Sequence, residues 1–303
     1  MKQILFFIFL INFQLVNAQQ PAFDPKTFDY SKADSIALNF PKEKYKTYTE
    51  IVYPLTKDLQ TDHEKFRVLF RWITDNIAYS YGNRTMDANK VVRNKKAVCA
   101  GYASLLKEMS NSAGIKCEII EGCAKTRVYD IGRKQKKSNH AWNAVNLYGK
   151  WYLVDATWAS GYYDKGKFLK VFKEQHYLTS PKILIKSHFP EKKSWQLLDK
   201  PIGKAKFSRQ PLYYYGYNLD IQPNKGTIKI QLQDTLEFQF KIDSGIKNAT
   251  IELANGKFVF YPKVVIKDNT YIVKQKFEKS GEFELTLFLN NEAAVAYKLE
   301  IKK

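Results

Sequence analysis

From Thr61 onward the chain reads Asp62-His63-Glu64-Lys65-Phe66-Arg67-Val68-Leu69-Phe70-Arg71-Trp72-Ile73. Apolar residues at 66, 69, 70 and 73 have the spacing of an amphipathic helix, and Thr61 or Asp62 can cap its start. A second helix is predicted after Cys99, with Ala103, Leu105, Leu106 and Met109 facing inward and Gly114 ending it. Three strand-like runs follow, Ile115 to Lys125, His140 to Leu147 and Trp151 to Trp158, the last two joined by a turn at Tyr148-Gly149. Helices first and an antiparallel sheet afterwards is an α+β order. Past Lys200 no helix of any length is predicted. Seven alternating runs (Thr227 to Leu232, Leu236 to Ile242, Thr250 to Leu253, Phe258 to Ile266, Tyr271 to Phe277, Phe283 to Leu289 and Ala294 to Ile301) are separated by turns such as Asn255-Gly256 and Ser280-Gly281. That many short strands over about a hundred residues predict an all-β, immunoglobulin-like sandwich.

The two patterns divide the 303 residues into a catalytic-type domain over 61–204 and a β domain over 205–303. Before them lies a segment, 19–60, with turn residues at Pro21, Asp24, Pro25, Pro41 and Pro54 around one short helical stretch from Ser31 to Leu38, read as a leader wrapping the first domain. At the start, Lys2 precedes an apolar run from Ile4 to Val16, and Val16-Asn17-Ala18 offers a cleavage site, so residues 1–18 are expected to be a signal peptide. The apolar run is too short for a membrane-spanning helix, and no later stretch is long enough. The expected location is the periplasm or the extracellular space. The net charge of +19 admits nucleic acid, an anionic surface or acidic substrates as partners. Export and the absence of any nucleic-acid-binding motif weigh against the first.

The chain has three cysteines. Cys117 and Cys123 lie six residues apart in one strand-like run, about 20 Å at ~3.3 Å per residue, too far for a disulfide while the strand is extended. At least one thiol is therefore unpaired within a monomer, and in an oxidising compartment such a thiol points to chemistry. Cys99 differs from the other two in standing where a loop enters a helix. Free N–H groups and the helix dipole at such a place favour a thiolate and can hold an oxyanion. A small buried hydrophobe is the bland alternative for any one cysteine. His140 opens one strand and Asp155 lies near the end of the next. A two-residue turn would set Leu147 opposite Lys150 and Trp142 opposite Asp155, making His140 and Asp155 diagonal neighbours on one face. A register change of one residue would separate them. Cys99, His140 and Asp155 then form a nucleophile, a base and an orienting acid.

The segments Val98-Cys99-Ala100-Gly101-Tyr102-Ala103, Asn139-His140-Ala141-Trp142-Asn143-Ala144-Val145 and Trp151-Tyr152-Leu153-Val154-Asp155-Ala156-Thr157-Trp158 resemble the three catalytic motifs of the transglutaminase-like superfamily, whose fold is papain-like. Tyr177-Leu178-Thr179-Ser180-Pro181, His188-Phe189-Pro190 and Trp195-Gln196-Leu197-Leu198 resemble its kyphoscoliosis peptidase branch, in which a β-rich domain follows the catalytic one. The resemblance covers Asp62 to Pro211 well and the rest loosely. It implies a papain-like transglutaminase core with Cys99 as nucleophile, His140 as base and Asp155 as the orienting acid, acting by acyl transfer at peptide or protein amides. Hydrolysis is the preferred outcome. Protein cross-linking and a catalytically silent envelope-binding or scaffolding role are the alternatives. Papain-type enzymes place a Gln about six residues before the nucleophile as an oxyanion donor. Val91 to Val98 contains none, so that donor is unassigned.

Trp142 and Trp158 flank the His–Asp pair and are the candidate substrate-binding residues, with core packing as the alternative for each. The loop Arg133-Lys134-Gln135-Lys136-Lys137 is read as a solvated loop in preference to a steering patch. No cofactor is expected and no metal site is assigned. His63, His176 and His188 are scattered in the sequence, and solvated or capping roles are expected of them. In the β domain, free of Cys and His, the run Tyr213-Tyr214-Tyr215-Gly216-Tyr217 is the candidate contact surface for a substrate or envelope partner, with a seal between domains as the alternative.

Overall fold

The computed structural model describes residues 24–25, 27–134, 137–214, 219–242, 245–254 and 256–303. The signal-peptide expectation, Gln135, Lys136, Tyr215 to Tyr217 and Asn255 lie outside the described residues. Among the described residues no helix is long and apolar enough to cross a membrane.

The helix Asp62–Asn76 starts at a capping box in which Thr61 and Glu64 satisfy each other's free main-chain N–H groups. The next principal helix, Cys99–Ser112, begins at the cysteine itself. Gly114, at φ 79°, turns the chain after that helix into the conformation glycine tolerates best. The helices pack on a four-stranded antiparallel sheet in the order Lys150–Val154, His140–Leu147, Cys117–Ala124, His188–Pro190. Cys117, Val145, Leu147 and Val154 point from one face into the helical core, beside Phe66, Leu69 and Leu105. Ile120, Trp142, Ala144 and Leu153 form the other face, covered by Leu184, Trp195 and Leu197.

The segment preceding Thr61 is more built than its turn residues predict. It holds two helices, Ser31–Asn39 and Thr49–Thr56, and their Ala33, Ala37, Ile51 and Leu55 belong to the same core as the Asp62–Asn76 helix. The second contains Pro54, which reads as a breaker in sequence. The third predicted strand also stops early. It ends at Val154, and Asp155 caps a one-turn helix, Ala156–Ala159, by accepting a hydrogen bond from the Trp158 N–H at 3.0 Å.

Two sheets face each other across one apolar core after residue 219. Phe238, Phe240 and Val273 come from one, and Ile251, Leu285, Leu287, Val295 and Leu299 from the other. The run expected as a single strand, Phe258 to Ile266, is broken at Pro262. Phe258–Phe260 pairs in one sheet and Val264–Lys267 in the other. The domains meet along a short strand, Leu212–Tyr213, paired with the last strand at Val295 and Ala296, and Val128, Ile131, Leu212 and Ala296 close an apolar contact there. The buried Lys125 Nζ donates to the carbonyls of Phe207, Gln210 and Pro211 at 3.1, 3.0 and 2.9 Å, fixing the chain that leads into that strand.

Candidate active site

Tyr148 and Gly149 both have positive φ, 55° and 80°, as a two-residue hairpin turn of the type favoured by strand twist requires. Leu147 consequently pairs with Lys150, and Asn143 with Val154. In this register His140 Nε2 lies 2.7 Å from Asp155 Oδ2, with both side chains buried.

Cys99 reaches the pair from the helix side. Gly101 makes that approach possible, because a Cβ there would lie 2.7 Å from the Thr85 carbonyl oxygen and 2.8 Å from the Ala97 Cβ. Burial alone would raise the thiol's pKa. The hydrogen bond with His140, the charge of that imidazole and the Ala141 N–H outweigh it and lower the pKa. Burial likewise disfavours the charged imidazole of His140, but the Asp155 carboxylate and the thiol hold its pKa up at about 10. Asp155 is fully buried. Desolvation works against its charge, and the two histidines beside it hold its pKa well below the usual carboxylate range. Nε2 of His140 is engaged by Asp155, so Nδ1 is the ring nitrogen left for the thiol. Among the described residues no acceptor is paired with the main-chain N–H of Cys99 or Ala100, the first two residues of the helix.

The second histidine is one the sequence reading passed over. His188, expected to be solvated or capping, is 1% exposed on the edge strand of the sheet, and its Nε2 lies 3.0 Å from the same Asp155 Oδ2. Burial lowers its pKa to about 4. As a neutral ring it donates from Nε2 to Asp155 and accepts at Nδ1 from the Ser187 hydroxyl, 2.7 Å away. Asp155 thus receives His140 and His188 on one oxygen and the Trp158 N–H on the other. His176 is also buried, its pKa lowered to about 3 by desolvation, and its carbonyl accepts the Asp155 N–H at 2.9 Å. His63 is buried as well, so solvation holds for none of the three. Ligand atoms of His140, Asp155 and His188 lie within 4.8 Å of one another, a spacing that could suit a metal. The hydrogen bonds of 2.7 and 3.0 Å already satisfy these atoms as a proton network.

Of the two tryptophans expected to touch substrate, Trp158 lines a groove of about 640 Å³ that opens over Cys99. Trp142 does not. It is 1% exposed, and its ring stacks on His140 and meets His188 edge-on at 5.0 Å, so it packs behind the site. Tyr79, Tyr81, Tyr163 and Phe168 form a connected aromatic group along the groove. Burial, with the Cys99 charge second, raises the Tyr79 pKa to about 12. Tyr213 and Tyr214 line the groove too, so the chain leading into the β domain supplies part of its wall. The thiols of Cys117 and Cys123 are buried and free, with pKa values raised by desolvation.

A helix-borne cysteine set against a histidine on an antiparallel sheet and a carboxylate just past the end of the neighbouring strand defines a papain-like domain of transglutaminase type. Residues 49–156 match the sequence model of the transglutaminase-like superfamily, and the chain is similar to the kyphoscoliosis-peptidase-like branch of that superfamily. It is 36% identical to the kyphoscoliosis peptidase of Homo sapiens over 167 residues, 52% of this chain and 25% of that protein. With the kyphoscoliosis peptidase of Mus musculus it shares 32% identity over 238 residues, 70% of this chain and 36% of that protein. Hillarin of Drosophila melanogaster is 30% identical over 201 residues, 60% of this chain and 25% of that protein. The chain thus spans about a quarter to a third of the length of these relatives.

Proposed function

We propose that this chain is an exported, cysteine-dependent acyl-transfer enzyme that cleaves peptide or protein amides through a thioester, with water as the preferred acceptor. The observation that carries the proposal is the buried Asp155–His140 hydrogen bond at 2.7 Å, with His140 and the half-buried Cys99 lining the same groove. The Cys99 thiolate attacks the amide carbon and forms the S–C bond. The N–H groups of Cys99 and Ala100 receive the oxyanion, and the Tyr79 hydroxyl is the candidate for the remaining donor. The C–N bond then breaks, and the amine leaves with a proton from the His140 imidazolium. A water molecule deprotonated by His140 attacks the thioester, and the acid departs as Cys99 is restored. Asp155 keeps its charge throughout and supports the imidazolium.

Domain limits of 61–204 and 205–303, an immunoglobulin-like class for the β-sandwich, a signal peptide at 1–18 and a periplasmic or extracellular location complete the proposal. An envelope or cell-surface partner of the β domain belongs to it as well. The parallel pairing of Thr227–Gln231 with the last strand, Glu292–Lys302, supports the sandwich class. The test is labelling by a thiol-reactive acyl probe in the full chain and in Cys99→Ala. Labelling confined to Cys99, with amide turnover lost in the variant, is the expected result. An unlabelled Cys99 would favour the silent scaffolding alternative, and amine incorporation outpacing hydrolysis would favour cross-linking.

A further inference from the structure

We infer that the groove over Cys99 selects acidic acyl donors, peptide segments carrying carboxylates close to the amide that is attacked. This inference rests on the reading of Cys99 as nucleophile and names the substrate class of that site. Among the described residues that line the groove, every formally charged side chain other than the histidines is a cation: Lys125, Arg127 and Lys173. Lys125 is committed to three carbonyls and faces the linker. Arg127 and Lys173 therefore set the groove's charge.

The acids next to them in sequence are engaged elsewhere. The Asp130 carboxylate accepts the main-chain N–H groups of Thr126 and Arg127 at 3.0 and 3.1 Å. Glu174, beside Lys173, pairs with the buried Arg67 at 2.6 and 2.7 Å. Arg127 is exposed at the groove wall, and the Lys173 ammonium lies 4.9 Å from the centre of the Tyr162 ring, which also lines it. An aromatic wall lowers the local dielectric and lets such cations act over a longer range than in bulk water. Neutral and cationic donors gain nothing from these charges. Arg133 does not line the groove; its guanidinium stacks on Tyr129 at 3.8 Å.

The test compares two small alkylating probes at Cys99 in the full chain, anionic iodoacetate and neutral iodoacetamide. Both form the same S–C bond and expel iodide, so their rate ratio reports the field in the groove and needs no turnover. Arg127→Ala and Lys173→Ala should each lower the iodoacetate-to-iodoacetamide ratio roughly two- to fivefold. Raising the salt from 50 to about 500 mM should compress the wild-type ratio in the same direction. A ratio indifferent to salt and to both substitutions would overturn the inference while leaving Cys99 a reactive nucleophile. A Cys99 that reacts with neither probe would overturn the proposed function, and this inference with it.

Discussion

The two domains solve burial in opposite ways. From Leu212 to Ile301 every buried hydrophobic or polar side chain among the described residues is hydrophobic. The first domain buries His63, Arg67, Lys125, His140, Asp155, His176 and His188. Charge in an apolar interior is costly unless it is paired, and apolar residues of similar volume would hold the fold as well or better. Arg67 illustrates a paired one: it binds Asp34 and Glu174 and rests against the rings of Tyr30 and Tyr177, joining three segments of the chain. The Cys99–His140–Asp155–His188 series joins little that the sheet does not already hold. The contrast teaches that the sandwich is built for packing, whereas the first domain holds polar groups in one geometry at the expense of stability.

The largest effect that sharpens this contrast is on turnover. Cys99→Ala should reduce amide turnover by about a thousandfold or more with an unchanged melting temperature, since it removes one sulfur atom at the groove. Leu287→Ala in the sandwich core should show the converse, about 2–5 kcal/mol of lost stability and unaltered Cys99 alkylation while the protein stays folded. If Leu287→Ala quenched Cys99 at temperatures where the sandwich is intact, the division between the domains would fail.

An intermediate effect belongs to His188. Removing a hydrogen bond to a buried carboxylate should lower turnover about ten- to a hundredfold in His188→Ala. His188→Gln can still donate an amide N–H to Asp155 and should recover part of it. A merely structural histidine would leave the pH profile of Cys99 alkylation in place. A positioning one should shift it upward in His188→Ala, because a less well held Asp155 supports the imidazolium less.

The smallest effect is on stability in acid. His188 and His176 have folded pKa values of about 4 and 3, below the ordinary histidine value of about 6.5, so the unfolded chain binds protons that the folded chain refuses. Their contribution is complete above pH ~6.5 and is lost as the pH falls through 4 toward 3. His140 runs the other way. Its contribution is complete below pH ~6.5 and is lost as the pH rises through about 10. All four histidines and all five tryptophans precede residue 200. Tryptophan emission should therefore report unfolding of the first domain on acidification from pH 6.5 to 4, with the sandwich's far-ultraviolet β signal retained. Simultaneous loss of both signals would mean that the sandwich shares the acid sensitivity.

Much of this arrangement was legible in the sequence because it is local. Thr61 with Glu64 marks a helix start, and Tyr148-Gly149 sets a register that places His140 beside Asp155. What was not legible depends on distant pairing. His188 reaches Asp155 only because a three-residue edge strand pairs with Gly122–Ala124, and three residues carry no periodicity. Trp142 shares a sheet face with His140, two residues along the same strand, but distant residues such as Leu184 and Trp195 pack against the cluster it belongs to and bury it. The Thr49–Thr56 helix was hidden by Pro54, whose disfavour tertiary packing of Ile51 and Leu55 overrides.

The central claim is that His140 and Asp155 turn the half-buried thiol of Cys99 into a nucleophile. The pH dependence of Cys99 alkylation by iodoacetamide, in the wild type and in His140→Ala, tests it most directly. The account predicts wild-type reactivity persisting well below the ~8.5 of an ordinary thiol, and a His140→Ala profile displaced upward by the unopposed burial of Cys99. Coincident profiles, both at or above the ordinary thiol value, would contradict it.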